Sequence, residues 1–367
     1  MNLKIILIIL LILSVINVSE NFTNYRTSCK SNYLPKLLKK VLIERGMKLN
    51  LTDWEYYLPC GYNSCEKQVR KLVGSKNKKI FMIDGCDTIA SKNAIFKTLK
   101  KKYGNRASMI MPETFNLRIY SDVKRFVEHF KNKKKLINKP KFILKNHRQR
   151  QLGLKMINSI KTVEYEMKKK KYYLIQDYLN NPFLINKRKI NLRYYLAIIC
   201  RKGKVEGYIY RDGFVYYTPE FFDYNSIDPK KNITTGYIDR QVYVENPLTT
   251  QDFRNYLGSR KSKYFDKIVK KKFYLMVNAL KDNICRIKKY PDSTLFQLFG
   301  ADIAPSDKLD AHFMEINKGP DIGGKDERDS KLKYNMLKGI FELVDAKNCN
   351  RNTLNKICIK TNFERVF

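Results

Sequence analysis

Two carboxylates and an amide stand close together late in the sequence, in Phe299-Gly300-Ala301-Asp302 and in His312-Phe313-Met314-Glu315-Ile316-Asn317. If these segments are neighbouring strands, alternation puts Glu315 and Asn317 on one face with Asp302 beside them. Asp302, Glu315 and Asn317 then supply hard oxygen ligands of the kind Mg²⁺ takes beside nucleotide phosphates. Apolar Phe299 and Phe313, the room left by Gly300, and Lys318-Gly319-Pro320 closing the strand favour a sheltered site over a surface hairpin.

The elements that must position these residues follow from periodicity. Strands are expected at 141–145, 172–178, 295–303 and 312–317, with a long buried strand at 189–200. Residues 205–210 and 214–218 flank Arg211-Asp212-Gly213, a hairpin signal. Phe265, Ile268, Val269, Lys272, Met276, Leu280 and Ile284 keep helical spacing, and a terminal helix is expected at 330–344. Further upstream, 80–83 reads as a buried strand ending at Asp84-Gly85, with a helix starting near Ser91. Strands and helices interleave, so the class is α/β or α+β.

Several motifs in order resemble the tubulin–tyrosine ligase-like family. Leu298-Phe299-Gly300-x-Asp302 followed by Met314-Glu315-Ile316-Asn317-x-x-Pro320 is similar to its C-terminal signature. Lys141-Phe-Ile-Leu-Lys145 resembles the strand with its first ATP lysine. Leu174-Ile-Gln176-Asp-Tyr178-Leu resembles the nucleotide hinge, and Lys189-Ile-Asn191-Leu-Arg193 the Lys-Phe-Asp-x-Arg strand. Tyr208-x-Tyr210-x-Asp212-Gly213 and Met111-Pro112-Glu113-Thr114-Phe115 also fit, and the likeness covers roughly 83–344.

The resemblance implies an ATP-grasp-type ligase fold with a smaller N-terminal module. It implies an ATP-dependent amide ligase that activates a carboxylate as an acyl phosphate and joins it to an amine, by tyrosination, glutamylation or glycylation. Lys145 would meet the α- and β-phosphates, and Gln176 and Tyr178 the adenine. Lys189 and Arg193 would act at the γ-phosphate, beside Asn191. Asp302, Glu315 and Asn317 would hold Mg²⁺. The implied partners are a free amino acid and an acidic protein acceptor such as tubulin C-terminal tails. Three departures leave a nucleotide-binding pseudoenzyme open. Asn191 stands where the family has Asp, Tyr216 lies near an expected Arg, and Asn232-Ile233-Thr234-Thr235 replaces a His-x-Thr-Asn segment. The loop after Lys145, Asn146 to Gly153, has one glycine where two are usual and two arginines that could serve phosphate.

The chain carries 73 Lys and Arg against 35 Asp and Glu over 367 residues, a net charge of +38. Such a field attracts polyanions: acidic tails, nucleotide phosphates, anionic membrane or nucleic acid. A nucleic-acid binder would need exposed aromatics for stacking, yet most of the 25 tyrosines sit in apolar strand patterns. A carbohydrate or cell-wall ligase is a further alternative. Lys4 and an apolar run over 5–16, followed by Asn17-Val18-Ser19, read as a signal peptide or an uncleaved anchor. The run is short of the roughly 20 residues that span a bilayer. On this reading the chain is secretory or membrane-anchored through 1–20, or cytoplasmic if the anchor faces the cytosol, with membrane contact only there. Eight cysteines invite disulfides, whereas Cys60 and Cys65 lack a second pair for zinc. Asn21, Asn50 and Asn232 begin glycosylation sequons. His129, His147 and His312 are too scattered for a triad. The expected division is 28–105 (N-terminal module), 106–190 and 191–346 (two ligase subdomains), and a tail at 347–367.

Overall fold

The computed structural model describes residues 23–29, 33–61, 72, 77–137, 139–146, 153–286, 293–346 and 361–367. Chain order begins with β1 (Asn24–Thr27), α1 (Lys36–Glu44), β2 (Lys48–Leu49), β3 (Tyr56–Leu58), β4 (Lys79–Ile80), α2 (Cys86–Ala90) and α3 (Ala94–Tyr103). A middle stretch follows with β5 (Thr114–Asn116), α4 (Tyr120–Leu136), β6 (Phe142–Lys145), β7 (Leu154–Ile157), α5 (Ile160–Lys168) and β8 (Leu174–Asp177). Next come β9 (Leu184–Ile185), β10 (Arg188–Arg201), β11 (Lys204–Tyr210), β12 (Phe214–Tyr217), α6 (Pro229–Asn232) and α7 (Val242–Glu245). The chain ends with α8 (Thr250–Leu280), β13 (Thr294–Pro305), β14 (Ala311–Asn317), α9 (Glu327–Asp345) and β15 (Phe363–Arg365). The architecture is mixed α/β, as the interleaved pattern predicts.

The described strands form two sheets. The larger runs β15-β11-β10-β13-β4-β3-β1-β2, with β9 and β12 also on β10 and β14 on β13. It therefore takes strands from both ends of the chain. The smaller sheet is β5-β8-β6-β7, with its own core of Phe115, Phe126, Phe130 and Phe142. Each such buried ring contributes roughly 2–3 kcal/mol of burial energy.

β10 is buried along nearly its whole length because both faces of the sheet are covered. On one face α8 sets Phe273 edge-on to Tyr194 and Phe313. On the other, α9 packs Phe341 against Phe296 and Tyr56. Tyr56, Tyr194, Tyr195, Tyr208 and Tyr217 are fully buried, so these rings pack the core and are not base-stacking platforms. The runs Lys100, Lys101, Lys102 and Lys133, Lys134, Lys135 lie in the last turns of α3 and α4, where cations complement the helix dipole.

Two expectations need correction. Arg211-Asp212-Gly213 is not a hairpin, because β11 and β12 pair with successive parts of β10 rather than with each other. The glycine serves close approach: a Cβ at Gly213 would lie 2.0 Å from the Arg193 carbonyl oxygen. The strand expected at 80–83 pairs only as β4, Lys79–Ile80, because Gly85 turns the chain with φ 78 into α2. The helix through Phe265 starts earlier, at Thr250 under a Thr249–Asp252 capping box, and breaks at Gly258.

Disulfides join Cys29 to Cys60 and Cys200 to Cys285. Cys60 is therefore no zinc ligand, and Cys65 lies outside the described residues. Asn232 is fully buried, with its amide donating to the Ser226 and Asp228 carbonyls, so its sequon is inaccessible in the fold. Asn21 lies outside the described residues, and Asn50 caps a turn through Thr52 and Asp53.

Candidate functional site

Sheet register assembles the late residues. Arg193 on β10 pairs with Asp302 on β13, and Asp302 pairs with Glu315 on β14. Three charged side chains thus form one row across three strands. Asn317 lies two residues along, opposite Gly300.

A bulge makes the row possible. Asp302 pairs with Glu315 but the next residue, Ile303, pairs with Phe313, leaving Met314 as the extra residue. Without it Phe313 and Glu315 would share a face. With it Phe313 turns to the α8 side and Glu315 joins Asp302. The Met314 carbonyl, left out of the ladder, accepts a hydrogen bond from Lys145 Nζ at 3.3 Å. That bond links the smaller sheet to the larger one.

The electrostatics of the row are asymmetric. Arg193 grips Asp302 with two bonds, Nε to Oδ1 at 2.6 Å and Nη2 to Oδ2 at 3.1 Å. Gly300 makes room for it, since a Cβ there would lie 3.0 Å from Arg193 Nη1. The Tyr216 ring covers the guanidinium from 5.2 Å. Burial raises the Asp302 carboxyl above its usual range against the pull of Arg193, and Glu315 beside it adds to the rise. At Glu315 burial is outweighed by Lys92, Lys145 and the Asn317 amide, so that carboxyl sits below its usual range. Asn317 Nδ2 donates to Glu315 Oε1 at 3.0 Å, and Lys92 Nζ lies 3.8 Å from Glu315 Oε2.

Lysines face this row. Burial pushes Lys145 down to about 8, opposed by Glu315 and Asp302 and furthered by Lys92. Lys189 falls to about 7 through burial and then the charges of Lys141 and Lys145. Its ammonium donates to the Asn232 carbonyl at 3.2 Å and lies 4.1 Å from the centre of the Tyr178 ring. The Tyr178 hydroxyl in turn bonds Asn232 at 3.1 Å. The Gln176 side chain points away, donating to Thr114 Oγ1 at 2.8 Å. Asn191 lies on the Lys189–Arg193 face of β10, with its Oδ1 buried and without a hydrogen-bond partner among the described residues.

The Lys189 shift has a measurable consequence. Its folded pKa of about 7 lies below the ordinary 10.5, so between those values the unfolded chain binds the extra proton. Stability therefore rises with pH across that window, and the penalty is complete below it. A Lys189→Met chain should lose that part of the rise in denaturant titrations from pH 6 to 10. Equal slopes in the two chains would refute the buried-lysine account.

The expected residues thus converge, except that the Gln176 amide is spent within its own sheet. Residues 147–152, with His147 and both loop arginines, lie outside the described residues. Lys92 was not foreseen: it comes from the turn before α3, and one lysine in so basic a chain gives no signal. Among the described residues no three His, Cys, Asp or Glu side chains gather as a metal cage. Two carboxylates plus one amide is nonetheless a donor set that Mg²⁺ shares with phosphates.

The model of the tubulin-tyrosine ligase family matches residues 70–353. The chain belongs to that family. The probable tubulin polyglutamylase TTLL9 of Rattus norvegicus is 30% identical over 181 residues, covering 47% of this chain and 38% of its own length. The probable tubulin polyglutamylase TTLL2 of Mus musculus is 24% identical over 351 residues, covering 87% and 62%. Tubulin glycylase 3B of Drosophila melanogaster is 22% identical over 197 residues, covering 47% and 24%. The chain thus spans less than two thirds of the length of these tubulin-tyrosine ligase relatives. These relatives are named for tubulin modification, and the secretory or membrane-anchored expectation is corrected on that finding. No described helix is long and apolar enough to cross a membrane, and residues 1–22 lie outside the described residues.

Proposed function

We propose that the chain is an ATP-dependent carboxylate–amine ligase that attaches an amino acid to an acidic protein acceptor, with tubulin tails as that acceptor. The observation that carries this is the Arg193–Asp302–Glu315 row, met from the smaller sheet by Lys145 and continued along β10 by Lys189 four residues before Arg193. Such an arrangement suits phosphoryl transfer, where positioning and charge neutralisation supply most of the catalysis.

In the reaction an acceptor carboxylate oxygen attacks the γ-phosphorus, the bond to the bridging oxygen breaks, and ADP leaves. The incoming amine then attacks the acyl carbon, phosphate departs, and the nitrogen loses a proton. Lys145 holds the α- and β-phosphates as a point charge, and Lys189 and Lys92 draw charge from the γ-phosphoryl oxygens. Arg193 fixes Asp302 and stands ready for the acyl phosphate. The chain near Gln176 and Tyr178 takes the adenine, the Gln176 side chain serving only its own sheet. Asn191 offers its unpaired oxygen toward the same space. Asp302, Glu315 and Asn317 would hold Mg²⁺, which neutralises phosphate charge when bound. The separate core of the smaller sheet supports a central subdomain over 106–190, between an N-terminal module at 28–105 and a C-terminal subdomain at 191–346 with a tail at 347–367. β10 begins at Arg188, so the boundary is better drawn a few residues earlier, before that strand.

The test incubates the chain with ATP, Mg²⁺, free glutamate or glycine, and a glutamate-rich tail peptide. ADP release with a peptide mass gain of one residue is expected. ATP binding without ADP release on any acceptor would overturn the ligase reading.

A further inference from the structure

Helix α4 turns a row of cations toward the strand that ends where the adenine is placed. Arg125, His129 and Lys133 follow one another at intervals of four, so they share one side of the helix. Each leans on a ring of the smaller sheet. Arg125 lies 5.4 Å from the centre of Phe115, His129 5.3 Å from the same ring, and Lys133 5.6 Å from Phe142. Two carboxylates, each 13% exposed, meet the row. Arg125 Nη2 lies 3.8 Å from Glu113 Oε1. His129 Nε2 reaches both oxygens of Asp177, at 2.9 and 3.0 Å, and Lys133 Nζ lies 2.8 Å from Oδ2. An ionised Asp177 only accepts, so the imidazole donates through Nε2.

The two acids are themselves joined. Asp177 N donates to the Glu113 carbonyl at 2.9 Å, and the Glu113 carboxylate takes Lys100 from α3 at 3.1 Å. Glu113 is thereby tied to both α3 and α4, and Asp177 to α4 through its side chain. Asp177 is also the last residue of β8. The next residue, Tyr178, leaves on the opposite side, with its hydroxyl on the Asn232 carbonyl and Lys189 4.1 Å from its ring centre. The end of β8 is therefore pinned from two sides. Burial of Phe126 and Phe130 holds α4 on the sheet but has no direction. The charge-assisted bonds to Asp177 are the contacts that fix where the strand's end stands.

We infer that Asp177 is a positioning residue for the nucleotide base: held by His129 and Lys133, it sets the backbone at 177–178 against which adenine lies. The inference rests on the reading that this stretch takes the adenine. Asp177 faces α4 while its neighbour Tyr178 faces Lys189, so the carboxylate acts through the strand and not by touching nucleotide. A strand end released from α4 misplaces the base and leaves the phosphate-binding lysines where they are.

Calorimetry on the full chain with Mg²⁺ compares a non-hydrolysable ATP analogue with inorganic tripolyphosphate, which offers the phosphate groups without a base. Asp177→Asn and His129→Phe, the latter keeping a ring against Phe115, should each weaken the ATP analogue by about tenfold and leave tripolyphosphate unchanged. Lys133→Met should act in the same direction, and Lys133→Arg should restore the parent affinity. Unchanged affinity for the ATP analogue in Asp177→Asn and His129→Phe overturns the inference. An equal loss for tripolyphosphate overturns it too, since that marks a general weakening of the fold. A parent chain that binds no ATP analogue overturns the inference together with the nucleotide reading beneath it. Base-selective losses without ADP release in the tail-peptide assay sink the ligase reading alone and leave Asp177 in its role.

Discussion

A Glu315→Gln chain should release ADP about 10²–10³ times more slowly than the parent, the cost of removing one preorganised charge from a sheltered site. Glu315 is where three dependencies meet. It stands across from Asp302 in the ladder, takes the Asn317 amide at 3.0 Å, and is the negative partner of Lys92 at 3.8 Å. Glutamine preserves the shape and removes only the charge. With it gone, Lys145 loses the first of the groups that oppose its burial, so its ammonium pKa falls further. The loss should therefore appear in kcat and in ATP affinity together, measured by ADP release over a range of Mg²⁺ concentrations. Asn317→Ala, which removes a neutral group from the proposed ligand set, should cost less. A Glu315→Gln chain that turns over within a few-fold of the parent would remove that carboxylate from the proposed metal site and leave Asp302 as its one carboxylate.

The nearness of Asp302, Glu315 and Asn317 was legible in the sequence because strand alternation and Gly300 speak about neighbours a few residues away, whereas the pairing of Arg193 with Asp302 was not. The bulge at Met314 was not. Phe313 and Glu315 share parity in the sequence, and only pairing with β13 shows that they face opposite ways. The supposed hairpin at Arg211-Asp212-Gly213 failed for a related reason: a turn glycine and a close-approach glycine look alike until the Arg193 carbonyl is beside one of them. Lys92 stayed hidden among 73 basic residues, since no local pattern separates a cation that reaches into a site from one that is solvated. Asn232 shows the opposite error. A surface signature, the sequon, sits on a residue whose backbone carbonyl and amide support Lys189 and Tyr178. The mixed α/β class and the order of the long strands followed from local periodicity alone. The sheet that joins residue 24 to residue 365 did not, because its pairings are long-range.

The Arg193–Asp302 pair carries the largest stability prediction. Both side chains are 13% exposed and meet through two bonds, so the pair is largely desolvated. Arg193→Leu should cost about 3–5 kcal/mol in urea unfolding, because it strands a buried carboxylate next to Glu315. The pH dependence fixes the cause. Without Arg193, burial and Glu315 hold the Asp302 carboxyl further above its unfolded value. A carboxyl raised in the folded state binds the proton that the unfolded chain has lost, so the deficit should shrink as pH falls toward the unfolded pKa and grow as pH rises through the folded one. Arg193→Leu with Asp302→Leu removes both charges and should recover most of the loss, although it cannot recover ADP release. Salt should change little, since the screening atmosphere does not reach between two sheltered groups. A single variant as stable as the parent at pH 7 would mean that Asp302 is already protonated when Arg193 is present. The row would then be a neutral acid beside a cation, and Glu315 would be the one carboxylate left to meet a metal.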